Sequence, residues 1–467
     1  METSYGSKAE ELSRAWQELC SKYLPVSAVD SIWRFSRGAA TDEPLQGWKL
    51  HVSATVLNAG VALERVAPIL RARNIQFKAP SSLSEINKIN TGIYYGYSQI
   101  GKLITVYPRS ADEAVNVAQQ LYDTTRDISA PAVPFDERFG PDGCVYYRYG
   151  AFRPMEIDTP DGKRTHAIMN PSGEMVADVR EADRPGPVWV ANPFPIQNLP
   201  NPASVGETSL LNRYAAFRAL TQRGRGGVYQ ALDLTRRNPR FCILKEGRSL
   251  GEVSWDGRDG AGRVRNEETV LRALLPAHLG VPAVYASFVV EDNQYLVTEF
   301  IAGESLQAFL TKRRRRMSAA QVLNFGVRIA SLISRIHAAG WAWRDCKPSN
   351  IMITRKGVLR PIDFEGACPL DKPDPLPWGT EGFTPKWRPV VSSRASEDLY
   401  ALGAILYLLL TGKLPGHKTP IPVAGLRPKA PRQLSDLIEE LLAADPPQTE
   451  AGMIRARLSS LLSISAR

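Results

Sequence analysis

Apolar and polar positions alternate in WKLHVSAT from Trp48, a period of two that predicts a strand. NIQFKAP from Asn74 and KLITVYP from Lys102 are strand-like, and VYYRYGAF from Val145, aromatic and rich in β-formers, is a fourth strand candidate. Between them, Ala59–Arg73 and Ala111–Leu121 repeat apolar residues at three and four, which predicts helices. A short helical pattern, then Gly and Pro punctuation, fills the first 46 residues. From Asp158 to Pro202 turn-like pieces take over (TPDGK, NPSGE). The proline cluster NPFPIQNLPNP at 192–202 predicts a boundary linker. A second α/β pattern runs from Tyr214 to Ile301, and beyond Met317 the periodicity is mainly helical, with no internal repeat. Two domains are expected, 1–205 and 206–467, in an α+β chain.

Composition supports two cores. The chain has 467 residues, 43% hydrophobic and 23% charged, which is ordinary globular usage and excludes a mostly disordered protein. Lys and Arg number 58 against 48 Asp and Glu, a net charge of +10 that favours anionic partners. Five scattered cysteines without a C-x-x-C pair argue against a disulfide framework or a cysteine-rich zinc site, and predict a reducing, cytoplasmic setting. No signal core opens the chain, and the apolar run Leu399–Leu410 is too short to span a bilayer, so no membrane partner is expected. The run Arg313–Arg316 is read as a solvated helix end rather than a nucleic-acid site.

The second half carries an ordered set of phosphoryl-transfer residues. WRDCKPSNIMIT places Asp345, Lys347 and Asn350 in one loop, and Asp363 follows a short strand in RPIDFEGA. Upstream, Lys245 ends FCILK and Glu267 lies in the helical RNEETVLRAL. Such a set supplies a carboxylate for the hydroxyl proton, a carboxylate and an amide for Mg²⁺, and a lysine braced by a glutamate for the phosphates. Over roughly 206–465 this half resembles a bilobal protein kinase. The resemblance implies Asp345 as catalytic base, Lys347 at the γ-phosphate, Asn350 and Asp363 on Mg²⁺, Lys245 paired with Glu267, and Asp398 bracing the catalytic loop. Gly224, Gly226 and Gly227 in RGRGGVYQA would cover the nucleotide, ATP or GTP. There are departures. Trp343 stands where a His is usual, Glu365 where the last glycine of Asp-Phe-Gly is usual, and GTEGFTPKW replaces Ala-Pro-Glu. None removes a metal ligand or the base, so an active kinase is expected, with a non-catalytic pseudokinase as the competing reading.

In the first half, Lys49 and His51 alternate on one strand and so share a face. Lys78, Lys102 and Arg148 lie on the other strand candidates. Converging cations with one His would hold a phosphate dianion; on spacing alone the favoured reading is ordinary surface lysines on a half-exposed sheet. GWKLHVSAT, FKAP, GKLITVYP and YYRYGAF resemble the lyase domain of class III and class IV lanthipeptide synthetases, itself similar to phosphothreonine lyases, and the order of lyase then kinase resembles theirs. The resemblance implies Lys78 as general base, Lys49 stabilising the enolate-like charge, His51 as general acid near its natural pKa, and Lys102 and Arg148 on the phosphate. Tyr149 is a weaker candidate, equally a packed aromatic.

A bifunctional dehydratase is therefore expected. It would phosphorylate Ser or Thr of a ribosomally made precursor peptide with a leader, then eliminate phosphate to dehydroalanine or dehydrobutyrine. No zinc site or cyclase domain is expected in the chain, so rings would form with a separate cyclase or other tailoring enzyme, spontaneously, or not at all. The alternative is a Ser/Thr kinase whose first domain is non-catalytic and only binds phosphopeptide or substrate.

Overall fold

The computed structural model describes residues 2–27, 31–159, 162–180, 184–195, 211–313, 315–375, 378–385, 394–416, 421–443, 447 and 449–465. The expected boundary at 205/206 and the end of GTEGFTPKW lie outside them.

The first domain is built on an antiparallel sheet of seven strands: β1 (Val26–Ser27), β2 (Trp33–Phe35), β3 (Gln46–Val52), β4 (Gln76–Pro80), β5 (Ile104–Tyr107), β6 (Glu137–Arg138) and β7 (Val145–Ala151). Their order is β1-β2-β4-β5-β3-β7-β6. The alternation read from the sequence sorts the two faces. Leu50, Val52, Phe77, Val106, Val145 and Tyr147 point to one side and are buried under α1 (Glu2–Tyr23), α2 (Ala59–Ala72) and α4 (Ala111–Thr125). The helix α2 contributes Ala59, Ala62, Leu63, Val66, Ala67 and Leu70, a stripe at spacings of three and four. The Trp16 indole of α1 donates to Pro80 O at 3.1 Å, fixing that helix to the sheet.

The opposite face carries the charged residues. Register pairs Lys49 with Arg148, His51 with Thr105, and Lys78 with Thr105, so these side chains form one patch across four adjacent strands. A short helix α3 (Leu83–Thr91), capped by Ser82 and ended by Gly92 at φ +70°, leads into a 3-10 turn at Tyr97–Gln99. Lys102 follows that turn rather than opening a strand; its amide donates to Gln99 O at 3.1 Å. A second small sheet, β8 (Glu156–Asp158), β9 (Arg164–Met169) and β10 (Met175–Ala177), follows β7 in the chain.

The second domain has two lobes. Its first is a sheet of β11 (Tyr214–Arg223), β12 (Gly226–Asp233), β13 (Arg240–Gly247), β14 (Val284–Val290) and β15 (Asn293–Glu299), in the order β11-β12-β13-β15-β14, with the helix Gly260–Leu274 against it. Its second is helical. Ala395–Thr411 is apolar nearly all round and buried, which places it at the centre, with Ala319–Ala338 and Arg432–Leu441 packed on it. Ser318 and Gln321 form a reciprocal cap on the first of these helices. Among the described residues no helix is long and apolar enough to cross a membrane.

The domains touch at the β11–β12 turn. Gly224 N donates to Thr91 O at 2.9 Å. A Cβ on Gly224 would stand 1.7 Å from Asn90 O, so only glycine fits against the end of α3. The Arg248 guanidinium lies 5.1 Å from the Tyr97 ring centre, and Trp255 packs against the first domain's core.

Candidate active sites

The charged face of the first sheet lines a cleft of about 380 Å³. Lys49, His51, Lys78, Lys102 and Arg148, named from the sequence, all border it, together with Trp33, Tyr95, Asp178 and Arg180. Lys102, His51, Arg148, Arg180 and Lys78 have partners that strand spacing did not reveal. Asp136 has a fully buried side chain that accepts from Lys102 Nζ at 2.8 Å and faces His51 Nδ1 at 2.5 Å. Asp178 accepts from Arg148 Nη2 at 2.5 Å, and Arg180 donates to Ser98 Oγ. Lys78 Nζ sits 4.2 Å from the Trp33 ring centre. Tyr149 packs edge-on to Trp48 at 5.6 Å, the packed-aromatic alternative.

Burial, and after it the crowding of like charge, drives the protons off. Burial, then Lys102, pushes the Lys78 amine down to about 8. Burial, then the positive fields of Arg148 and Lys78, holds Lys49 well below the usual lysine range. Lys102 is also lowered to about 8, chiefly by burial, against the pull of Asp136. His51 departs from the expectation of a near-natural value: burial, then Lys102, pushes it down to about 3. Lys102 and His51 in turn hold the Asp136 carboxyl well below its usual range although it is buried. The cleft thus holds an imidazole and three lysines whose charged forms are disfavoured chiefly by burial, beside the carboxylates of Asp136 and Asp178.

The second cleft, about 510 Å³, lies between the lobes and is lined by Gly226, Gly227, Lys245, Glu267, Lys347, Asn350 and Asp363. Lys245 Nζ is 2.5 Å from Glu267 Oε2, 3.0 Å from Asp363 Oδ1 and 3.0 Å from Glu365 Oε1. These carboxylates keep Lys245 charged despite its burial. Asp345 accepts from Lys347 Nζ at 2.7 Å, from Asn350 Nδ2 at 2.9 Å and from Thr380 Oγ1 at 2.9 Å, the last a partner not named from the sequence. Burial raises the proton affinity of Asp345. Gly224 does not line this cleft; its place is the contact with α3.

The departures read in the sequence have structural counterparts. Trp343 stacks on Phe364 at 5.5 Å and donates its indole N–H to Asp363 O at 3.2 Å, so the indole fixes the backbone of the aspartate. Arg344 and Asp363 are non-glycine residues at φ +66° and +64°, conformations that persist only where the surroundings hold them. Asp398 holds the first by accepting from the amides of Trp343 at 2.8 Å and Arg344 at 2.6 Å. The oxygen donors of Asp363 and Asn350 on one cleft wall suit Mg²⁺, which favours carboxylate and carbonyl oxygen over nitrogen or sulfur.

A sheet lobe, a helical lobe and a lysine–glutamate–aspartate cleft between them define a protein kinase domain, and residues 220–448 match the protein kinase domain family. That domain implies the use of ATP and Mg²⁺. Residues 25–205, the cationic-cleft domain, match the RamC N-terminal domain family. Both matches lie in one chain, in the order RamC N-terminal domain then protein kinase domain. It is similar to a probable SapB synthase of Streptomyces coelicolor, 31% identical over 397 residues, covering 82% of this chain and 42% of that protein. It is also similar to a probable serine/threonine-protein kinase of Clostridium perfringens, 25% identical over 256 residues (50% of this chain, 36% of that one). Serine/threonine-protein kinase F of Synechocystis is 31% identical over 222 residues (44% and 45%). The chain spans less than half the length of these three relatives.

Proposed function

We propose that the chain is a bifunctional peptide dehydratase acting on Ser and Thr of a ribosomally made precursor peptide. The observation that carries this reading is a cation-rich, histidine-bearing cleft in the same chain as an intact phosphoryl-transfer cleft. The similarity to a SapB synthase supports a peptide substrate.

In the kinase cleft, Asp345 takes the proton of the attacking hydroxyl, while Lys245 and Lys347 hold the phosphates. Asn350 and Asp363 would hold Mg²⁺, which when bound would neutralise charge on the transferring phosphoryl group. Hydroxide leaves poorly from a peptide side chain and phosphate leaves well, which is the purpose of the first step.

In the first domain, Lys102 and Arg148 hold the phosphate, Arg148 as a planar fork. Neutral Lys78 removes the Cα proton; the Cβ–O bond breaks, a Cα=Cβ bond forms and phosphate departs. Lys49 stabilises negative charge developing on the substrate carbonyl. His51 is neutral without substrate. Burial depresses it first and the Lys102 field second; a phosphate dianion among Lys49, Lys102 and Arg148 reverses the sign of that field, so the ring takes up a proton from solvent on binding and returns it to the leaving phosphate.

A synthetic phosphoserine peptide incubated with the chain in the absence of any nucleotide tests the second step alone. Release of inorganic phosphate with formation of dehydroalanine is expected. An intact phosphopeptide after prolonged incubation would reduce the first domain to a binding module.

A further inference from the structure

Arg225 occupies the tip of the β11–β12 hairpin, and its backbone is fixed on both sides. Gly224 before it is bonded to Thr91 O at 2.9 Å. Gly226 after it lies at φ +137°, and a Cβ there would stand 1.9 Å from Glu246 O. The carbonyl of Arg225 itself accepts from Arg248 N at 2.8 Å. With the turn held in this way, the arginine side chain projects into the kinase cleft and lines it beside Lys245, Asn350 and Asp363.

What it meets there is loosely bound. Nη1 is 3.5 Å from Glu365 Oε2 and Nε is 4.0 Å from Glu252 Oε2, ion-pair distances without a hydrogen bond. Both of those carboxylate oxygens are buried without a hydrogen-bond partner among the described residues. Glu365 is the residue that departs from the usual glycine, and its other oxygen is on Lys245 at 3.0 Å. The cleft therefore presents, at the tip of the β11–β12 hairpin, a guanidinium held by ion-pair contacts without hydrogen bonds and within the field of Asp345 and Asp363. A guanidinium stays charged at any physiological pH and matches phosphate oxygens two at a time.

We propose that Arg225 is a phosphate-binding residue of the kinase cleft. It leaves Glu365 for the terminal phosphates of the bound nucleoside triphosphate, and Glu365 serves as its ligand-free counter-ion. The proposal rests on the kinase reading of this cleft and adds a side-chain contact from the hairpin to it.

Calorimetric titration of the full chain with ATP–Mg²⁺ and with adenosine tests it. Arg225→Gln should weaken ATP about tenfold to a hundredfold while leaving adenosine unchanged, since only the phosphate contact is lost. Arg225→Lys should recover part of the loss, and thermal melts establish that both variants fold. Equal losses for ATP and adenosine would show that the arginine only shapes the hairpin, and unchanged ATP binding would dismiss the contact; either result overturns the proposal. An unchanged chain that binds neither ligand would remove the kinase reading and the proposal together.

Discussion

The elimination step should follow a bell-shaped pH profile centred near pH 8, and the limbs belong to named lysines. Lys78 must be neutral to take the Cα proton, and its amine is lowered to about 8. At pH 7 about one in ten such amines is neutral, against roughly one in three thousand for a lysine at its ordinary value. Burial and charge crowding thus raise the reactive fraction on the order of 300-fold. Lys102 must be charged to hold phosphate, and it is also lowered to about 8. Raising the pH therefore gains the base and loses the phosphate clamp over the same interval.

The assay is kcat/KM for phosphate release from a phosphoserine peptide between pH 7 and 10. It reports the groups of the free enzyme and lies above the titration of the substrate's phosphate. Lys102→Arg carries a charge that does not titrate in this range, so the falling limb should vanish and the rising limb remain. Lys78→Ala should lose the rising limb together with most of the rate. A profile flat across this range would refute the reasoning. A rising limb that survives Lys78→Ala would transfer the base to Lys49, whose amine is also depressed.

Asp136→Asn should leave Lys102 as a buried charge without its anion, costing about 3 kcal/mol in urea denaturation. It should also slow elimination about a hundredfold while phosphorylation continues, so that phosphopeptide accumulates. Gly224→Ala should force the hairpin off α3, lowering stability by about 1–3 kcal/mol and speeding proteolysis between the domains. Trp343→Phe keeps the stack on Phe364 but removes the N–H to Asp363 O; phosphorylation should slow while elimination from a preformed phosphopeptide does not change, and Trp343→His should restore part of the rate.

The first sheet was legible because one face had to be apolar and the other was not. Leu50 and Val52 alternate with Lys49 and His51, and only a strand puts those pairs on opposite sides. The helices α2 and α4 were legible from their apolar stripes; the full 22 residues of α1 were not, since its stripe is thin and mostly polar. Asp136, Asp178 and Arg180 sit in connections without periodicity, and their partners are 85, 30 and 82 residues away in the chain. Only the folded sheet brings them together. The depressed His51 follows from its burial and from Lys102 beside it, against the pull of Asp136, and spacing alone quantifies neither. In the kinase domain the sequence order of Lys245, Glu267, Asp345, Asn350 and Asp363 was itself the signal. Gly224 was noted as part of a glycine-rich turn; its role in seating the hairpin on α3 depends on the neighbouring domain.

Intact-mass analysis of a Ser/Thr-containing precursor peptide incubated with the full chain, ATP and Mg²⁺ tests the central claim most directly. The account predicts a product lighter than the peptide by whole molecules of water, preceded by a transient species heavier by a phosphoryl group. A phosphorylated peptide that accumulates and persists, or a peptide of unchanged mass, would contradict it.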